Sequence, residues 1–314
     1  MEGILVATYR CNAKCHMCNT WQFPTSREQE MDPKYYERFP HLKFLNITGG
    51  EPFLREELEE IVRIVKPKCE RICISTNGYF TERVVALAKK FDGEIGIRIS
   101  LEGLPKANDE LRGIPDGFDH GLRTLLQLKR MGMKDIGFGI TVSDRNAKDL
   151  LELYELAKGL NLEFATAIVH NAYYFHKLDN EITKKEEVSE AFRELIRELF
   201  KTRRVKNWFR AYFNHGIINY VNGGKRLMPC EMGENLFLCE PWGDIKACNV
   251  LDESMGNIKE TDFETIWKSE RAAEVRKLAR NCGKNCWMIG SVSPAMKKDK
   301  WTPLKWILKN KWTY

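Results

Sequence analysis

The chain has 314 residues, of which 43% are hydrophobic and 30% charged, with ten cysteines and a formal net charge of +6. That length suits one barrel-sized core or a large domain with a small appendage, and the composition excludes a disordered chain. No run nears the ~20 apolar residues of a membrane span, no secretory leader precedes the first cysteines, and no basic domain is available to grip nucleic acid, so a cytoplasmic protein with reduced thiols is expected.

Ile4–Thr8 reads as a first strand and runs directly into Cys11, Cys15 and Cys18, spaced C-x3-C-x2-C. Three thiolates on one tight loop can hold three corners of a [4Fe–4S] cube and leave the fourth iron open. Zinc is the competing reading, with His16 the nearby fourth ligand. Phe44–Thr48 is the second predicted strand and ends in Gly49-Gly50-Glu51-Pro52. Arg71–Thr76, Glu94–Leu101, Asp135–Val142 and Leu162–Val169 bring the strands to six. Helical periodicity fills the intervals at Glu57–Lys66, at Thr81–Lys90 with Thr81 as the expected N-cap, and at Ala147–Gly159. Repeated βα units imply a parallel sheet. In Glu94–Leu101, Ile95, Ile97, Ile99 and Leu101 alternate with Gly96, Arg98 and Ser100, and Asp135–Val142 repeats the pattern. A sheet covered by helices on one face, with polar or small residues on the other, suggests a lumen lined for a ligand.

Residues 180–229 form a charged helical stretch and then an aromatic one, punctuated by Asn222-Gly223-Gly224, where a domain boundary is expected. Cys230 and Cys248 follow as C-x12-G-x4-C around Gly243, on a hairpin of Leu236-Phe237-Leu238 and Asp244-Ile245-Lys246. A helix over Phe263–Leu278 leads to Cys282-x3-Cys286. Cys239 is left over and reads as a small buried hydrophobe, or more sharply as a hydrogen-atom donor. Cys69 and Cys73 read as packing. Residues 297–314 carry six lysines against Asp299 alone, together with Trp301, Trp306 and Trp312. Leu304, Ile307, Leu308 and Trp312 are predicted to share one face, the composition of an interfacial helix at anionic head groups. A helix docked on its own barrel is the alternative.

The cysteine triad together with Gly49–Pro52 resembles the radical S-adenosylmethionine (SAM) superfamily, and the later cysteines resemble its SPASM/twitch extensions. The resemblance implies an α/β fold: a partial (β/α)6 TIM-like barrel with linking helices over 1–222, a small auxiliary-cluster domain over 223–295, and the basic aromatic tail over 296–314. It implies two [4Fe–4S] clusters. One, on Cys11, Cys15 and Cys18, binds SAM at its open iron; the other is ligated by Cys230, Cys248, Cys282 and Cys286, with a zinc ribbon as the competing reading there. Gly49, Gly50 and Glu51 match the motif that holds the SAM amino group. Ser75, Asn77, Ser100 and Glu102 match strand-end contacts to methionine or ribose, and Ile168 would pack on adenine. The implied activity is reductive SAM cleavage to a 5′-deoxyadenosyl radical and hydrogen abstraction, with an external one-electron reductant. The tail leans the substrate toward a lipid or lipid-linked molecule, with peripheral membrane contact through 297–314. A carbohydrate dehydrogenase or epimerase and a peptide maturase are the alternatives, and an iron–sulfur electron-transfer module is the non-enzymatic one.

Overall fold

The computed structural model describes residues 1–314. Six strands, β1 (Glu2–Val6), β2 (Phe44–Thr48), β3 (Ile72–Thr76), β4 (Ile95–Ser100), β5 (Ile136–Val142) and β6 (Glu163–Ile168), lie side by side in chain order and all parallel. Between them run α1 (Leu58–Val65), α2 (Thr81–Lys90), α3 (Pro105–Arg112), α4 (Gly117–Arg130) and α5 (Leu150–Gly159). In-register pairing puts Leu5, Ile47, Ile74, Ile97 and Ile136 in one row, all buried beneath the helices. The opposite parity presents Asn46, Ser75, Arg98, Ser100, Gly139 and Thr141, each only partly buried. This is the polar lumen that the alternation foretold. The sheet does not close, so the barrel is partial.

The chain then forms the antiparallel pair α6 (Lys185–Lys201) and α7 (Val205–Val221), followed by β7 (Leu236–Cys239), β8 (Asp244–Lys246) and β9 (Ser254–Asn257). β7 pairs parallel with β1, Leu5 opposite Cys239, so the cysteine-rich segment continues the barrel's own sheet. The expected hairpin is β7–β8. The predicted helix over 263–278 is two helices, α8 (Phe263–Lys268) and α9 (Glu270–Arg280). They break at Ser269, whose hydroxyl caps α9 by accepting from the Ala272 N–H at 3.0 Å.

Two further boundaries differ from expectation. β1 stops at Val6, because Thr8 turns into a buried polar knot in which its hydroxyl donates to Glu30 and Thr25 Oγ1 accepts from the Tyr9 N–H at 3.1 Å. Thr81 is the first helical residue of α2 and not its cap; its hydroxyl lies 2.7 Å from Thr124 Oγ1 and ties α2 to α4.

The chain ends in α10 (Ile289–Lys298) and α11 (Trp301–Asn310). Pro303 and Ile307 of α11 are buried, Trp306 stacks on His215 with ring centres 4.6 Å apart, and Lys311 lies 3.3 Å over Trp208. The face predicted to be shared by Leu304, Ile307, Leu308 and Trp312 is therefore divided. The docked stripe follows 303, 306, 307 and 310, which suits the aromatic surface of α6 and α7, while Leu308 and Trp312 remain exposed at 65% and 84%. No helix is long and apolar enough to cross a membrane.

Candidate functional site: two cysteine centres on one sheet

The cysteine triad lies on the loop that leaves β1. Its backbone is pinned to the C-terminus of α3, with the Lys14 N–H donating to the Arg112 carbonyl at 2.9 Å and the His16 N–H to the Leu111 carbonyl at 2.8 Å. Cys11, Cys15 and Cys18 are free and partly buried. Burial pushes the Cys11 thiol up to about 12 and the Cys15 thiol upward as well, while the buried Arg112 guanidinium opposes both shifts. Arg112 pairs with Glu102 at 2.9 Å. Its Nε has no partner, nor does Nδ2 of Asn12 within the loop, nor Nε1 of Trp21 just beyond it. Orphaned buried donors are rare, and several beside one thiol triad fit a site shaped around an acceptor-rich group such as a sulfide cluster with SAM.

The glycine motif meets this loop at its base. The Gly50 N–H donates to the Thr8 carbonyl and the Glu51 N–H to the Arg10 carbonyl, both at 2.8 Å. Gly49 has φ +149°, and a Cβ there would strike the Thr8 carbonyl, so this close approach requires glycine. The Glu51 carboxylate is fully buried and accepts from the Thr76 hydroxyl at 2.7 Å, the Asn77 N–H at 2.8 Å and the Phe53 N–H at 3.1 Å. Asn77 Nδ2 donates to Asn12 Oδ1 at 2.8 Å, which links the end of β3 to the cysteine loop. Ser75 faces the lumen and donates to Asn46 Oδ1 at 2.9 Å; Ser100 shares its parity with Gly139. Glu102 accepts from the Thr141 N–H at 2.6 Å besides its pair with Arg112. The structure thus gathers Gly49, Gly50, Glu51, Asn77 and Glu102 around the triad.

Ile168 stands apart. It pairs with Val142 and shares the parity of Phe164 and Phe138, so it belongs to the main core beneath the helices and not to the lumen wall expected for an adenine contact. Cys239 is likewise on the covered side, in the row of Leu5 and Ile47, fully buried, with its thiol pushed up by burial. That position fits packing and not hydrogen donation into the lumen.

Cys230, Cys248, Cys282 and Cys286 line one cavity of about 60 Å³. That is room for roughly four water-sized spheres, more than one ion needs. All four thiols line the same space. Burial pushes Cys248 up to about 12 and Cys286 upward, with the neighbouring thiols adding to both shifts. Two anchors hold the ring together. Arg226 donates to the carbonyls of Met228 at 2.7 Å, Ser291 at 3.1 Å and Cys286, and so ties the approach to Cys230 to the far pair of cysteines. Trp287, fully buried next to Cys286, donates from Nε1 to the Phe213 carbonyl of α7 at 2.8 Å. Neither Arg112, Arg226 nor Trp287 carried a spacing signal in the sequence, since a lone arginine or tryptophan is ordinary anywhere.

Residues 5–157 match the radical SAM superfamily and residues 230–287 match the SPASM iron–sulfur cluster-binding domain. The chain thus carries a radical SAM domain, the mark of a superfamily of enzymes, followed by a SPASM-type domain. It is 30% identical over 158 residues to Fe-coproporphyrin III synthase of Methanosarcina barkeri, which covers 48% of this chain and 39% of that protein. The chain thus spans about two fifths of that relative's length. To the AdoMet-dependent heme synthase of the same organism it is 26% identical over 298 residues, 86% of this chain and 82% of that one. Among solved structures, anSMEcpe with bound AdoMet and Cp18Cys peptide superimposes with a TM-score of 0.66 at 15% identity, covering 99% of this chain and 98% of that one, a likeness of fold. The family and the domain imply a SAM-binding [4Fe–4S] cluster and auxiliary iron–sulfur.

Proposed function

We propose that Cys11, Cys15 and Cys18 hold a [4Fe–4S] cluster with one open iron, that Cys230, Cys248, Cys282 and Cys286 hold a single fully ligated second cluster, and that the protein oxidises a substrate bound in the lumen between them. When bound, the clusters and SAM supply one-electron chemistry and a radical able to take hydrogen from an unactivated C–H bond. The observation that carries this reading is the convergence of four cysteines from three separate segments on one cavity, on the same sheet as the triad.

The protein's own groups have definable parts. Arg112 places positive charge beside thiolates and thereby favours their ionised form. Gly49, Gly50 and Glu51 present backbone groups to the amino end of SAM, with the buried Glu51 carboxylate bracing the motif through Thr76, Asn77 and Phe53. Ser75, Asn77, Ser100 and Glu102 orient its carboxylate or ribose, and the partial barrel keeps bulk water from the reacting bond. An external one-electron reductant completes the system, and a reducing compartment such as the cytoplasm suits thiolate ligands.

For the substrate we favour a tetrapyrrole side chain, because the resemblance to a heme synthase runs along most of both chains. The lipid reading loses its main support now that α11 docks on α6 and α7; exposed Trp301, Leu308 and Trp312 are what remains of it. The test is anaerobic turnover of reconstituted protein with SAM, dithionite and iron coproporphyrin. Release of 5′-deoxyadenosine above the substrate-free level, with a mass change in the porphyrin, is expected. No stimulation by porphyrin, but stimulation by a sugar or a peptide, would overturn the substrate class and leave the cluster assignment standing.

A further inference from the structure

The segment between β6 and α6 crosses the mouth of the barrel, and at its centre Tyr174 directs each of its polar groups to a different part of the site. Its backbone N–H donates to the carbonyl of Asn249, the residue after Cys248, at 3.1 Å. Its carbonyl accepts from the Thr20 hydroxyl at 3.3 Å, and that hydroxyl lies 2.9 Å from Cys18 Sγ. Its phenol donates to the Gly49 carbonyl at 3.0 Å. One residue therefore touches the neighbour of an auxiliary ligand, the neighbour of a triad ligand and the first glycine of the SAM motif. The surrounding strap repeats the pattern, with the Asn19 N–H donating to the Phe175 carbonyl at 2.8 Å and Asn180 Nδ2 to the Met17 carbonyl at 3.1 Å.

We propose that Tyr174 is a positioning residue that makes the geometry of the SAM motif depend on the auxiliary centre. The Gly49–Gly50 peptide, with a glycine on each side, is held by two bonds, its N–H to the Thr8 carbonyl and its carbonyl to the Tyr174 phenol, so losing the phenol leaves it anchored on one side only. The phenol in turn is aimed by a backbone whose N–H is held beside Cys248. Loss of order at the second site then slackens the first, with no ligand shared between them. The ring itself is held by Tyr9, with centres 5.9 Å apart, on the lumen side of β1. Removing only the hydroxyl therefore keeps the packing and deletes the link.

This inference rests on the function proposed above, and the experiment separates the two. SAM affinity is measured on anaerobically reconstituted full-length protein by equilibrium dialysis and by the EPR change of the dithionite-reduced triad cluster, with iron content as the control. Tyr174→Phe is expected to keep wild-type iron and to weaken SAM binding about 2- to 12-fold, the equivalent of one neutral hydrogen bond. The pair Cys248→Ala and Cys286→Ala should weaken SAM binding in the wild-type background and add almost nothing in the Tyr174→Phe background, the non-additivity of a shared link. Wild-type affinity in Tyr174→Phe, or effects that simply multiply, overturns the positioning role. A wild-type protein that binds no SAM overturns the underlying function as well.

Discussion

Gly216 on α7 decides how the auxiliary cysteines are held. A Cβ at this position would overlap Cε2, Cζ2 and Nε1 of Trp287. The indole is a rigid group, 1% exposed, pinned by its bond to the Phe213 carbonyl and stacked on Phe213 with ring centres 6.3 Å apart. Gly216→Ala sets two effects against each other. In a helix interior the change favours folding by about 1 kcal/mol. Displacing a buried tryptophan costs on the order of 3–5 kcal/mol if its burial is lost. The net is a destabilisation of about 2–4 kcal/mol, or roughly 3–6 °C in melting temperature for a chain of this size. Because Trp287 follows Cys286, the displaced ring also drags that cysteine away from the cavity. Thermal melting together with iron and sulfide analysis reads both effects. A lower melting temperature and partial loss of auxiliary iron are expected, with triad iron retained. A variant that melts higher, as helix propensity alone dictates, and keeps all its iron would refute the anchoring role of Trp287.

Cys239→Ala should cost on the order of 1–2 kcal/mol in a denaturant melt and leave the product unchanged, because the thiol sits under the helices; an altered or unquenched product would reinstate it as a hydrogen donor. Asp135 binds Arg71 at 2.7 Å and Arg98 at 2.5 Å; burial pushes its carboxyl up, but the two guanidiniums outweigh burial and hold it at about 2. A depressed carboxyl stabilises the fold above its ordinary value near 4 and loses that contribution as pH falls from about 4 to 2. With the side chain 32% exposed, screening leaves about 1–2 kcal/mol, so Asp135→Asn should lower stability at pH 7 and narrow its gap to wild type by pH 3; a gap independent of pH would contradict this. Truncation after Lys300 uncovers Phe200 and His215 and should cause aggregation or earlier melting; a stable, monomeric truncation that has lost only vesicle binding would restore the membrane reading.

Much of the barrel was legible because period-two alternation survives in strands whose two faces meet different surroundings. Ile95, Ile97 and Ile99 against Gly96, Arg98 and Ser100 announced both the covered face and the lumen. Strand ends were less legible, since Thr8 is removed from β1 by a bond to Glu30, a partner far along the chain. Thr81 misled because its hydroxyl found Thr124 on another helix before it found its own N-terminus. At the site, cysteine spacing marked out the candidate ligands, and their gathering needed the fold. Arg112, Tyr174 and Trp287 act through long-range contacts that leave no local pattern. The covered placement of Ile168 was not legible because strand parity at β6 depends on the register with Val142. The tail stayed open between two readings because amphipathicity names an apolar stripe without naming what covers it.

The central claim is that the triad cleaves SAM and the four-cysteine centre does not. The most direct measurement is 5′-deoxyadenosine released under dithionite by anaerobically reconstituted protein, with iron counted in parallel. Wild-type protein should hold about eight irons and release the nucleoside. The Cys11/Cys15/Cys18→Ala variant should hold about half the iron and release none, while Cys282→Ala should still release it in the absence of substrate. Nucleoside released by the triad variant but not by Cys282→Ala would reverse the two sites and contradict the account.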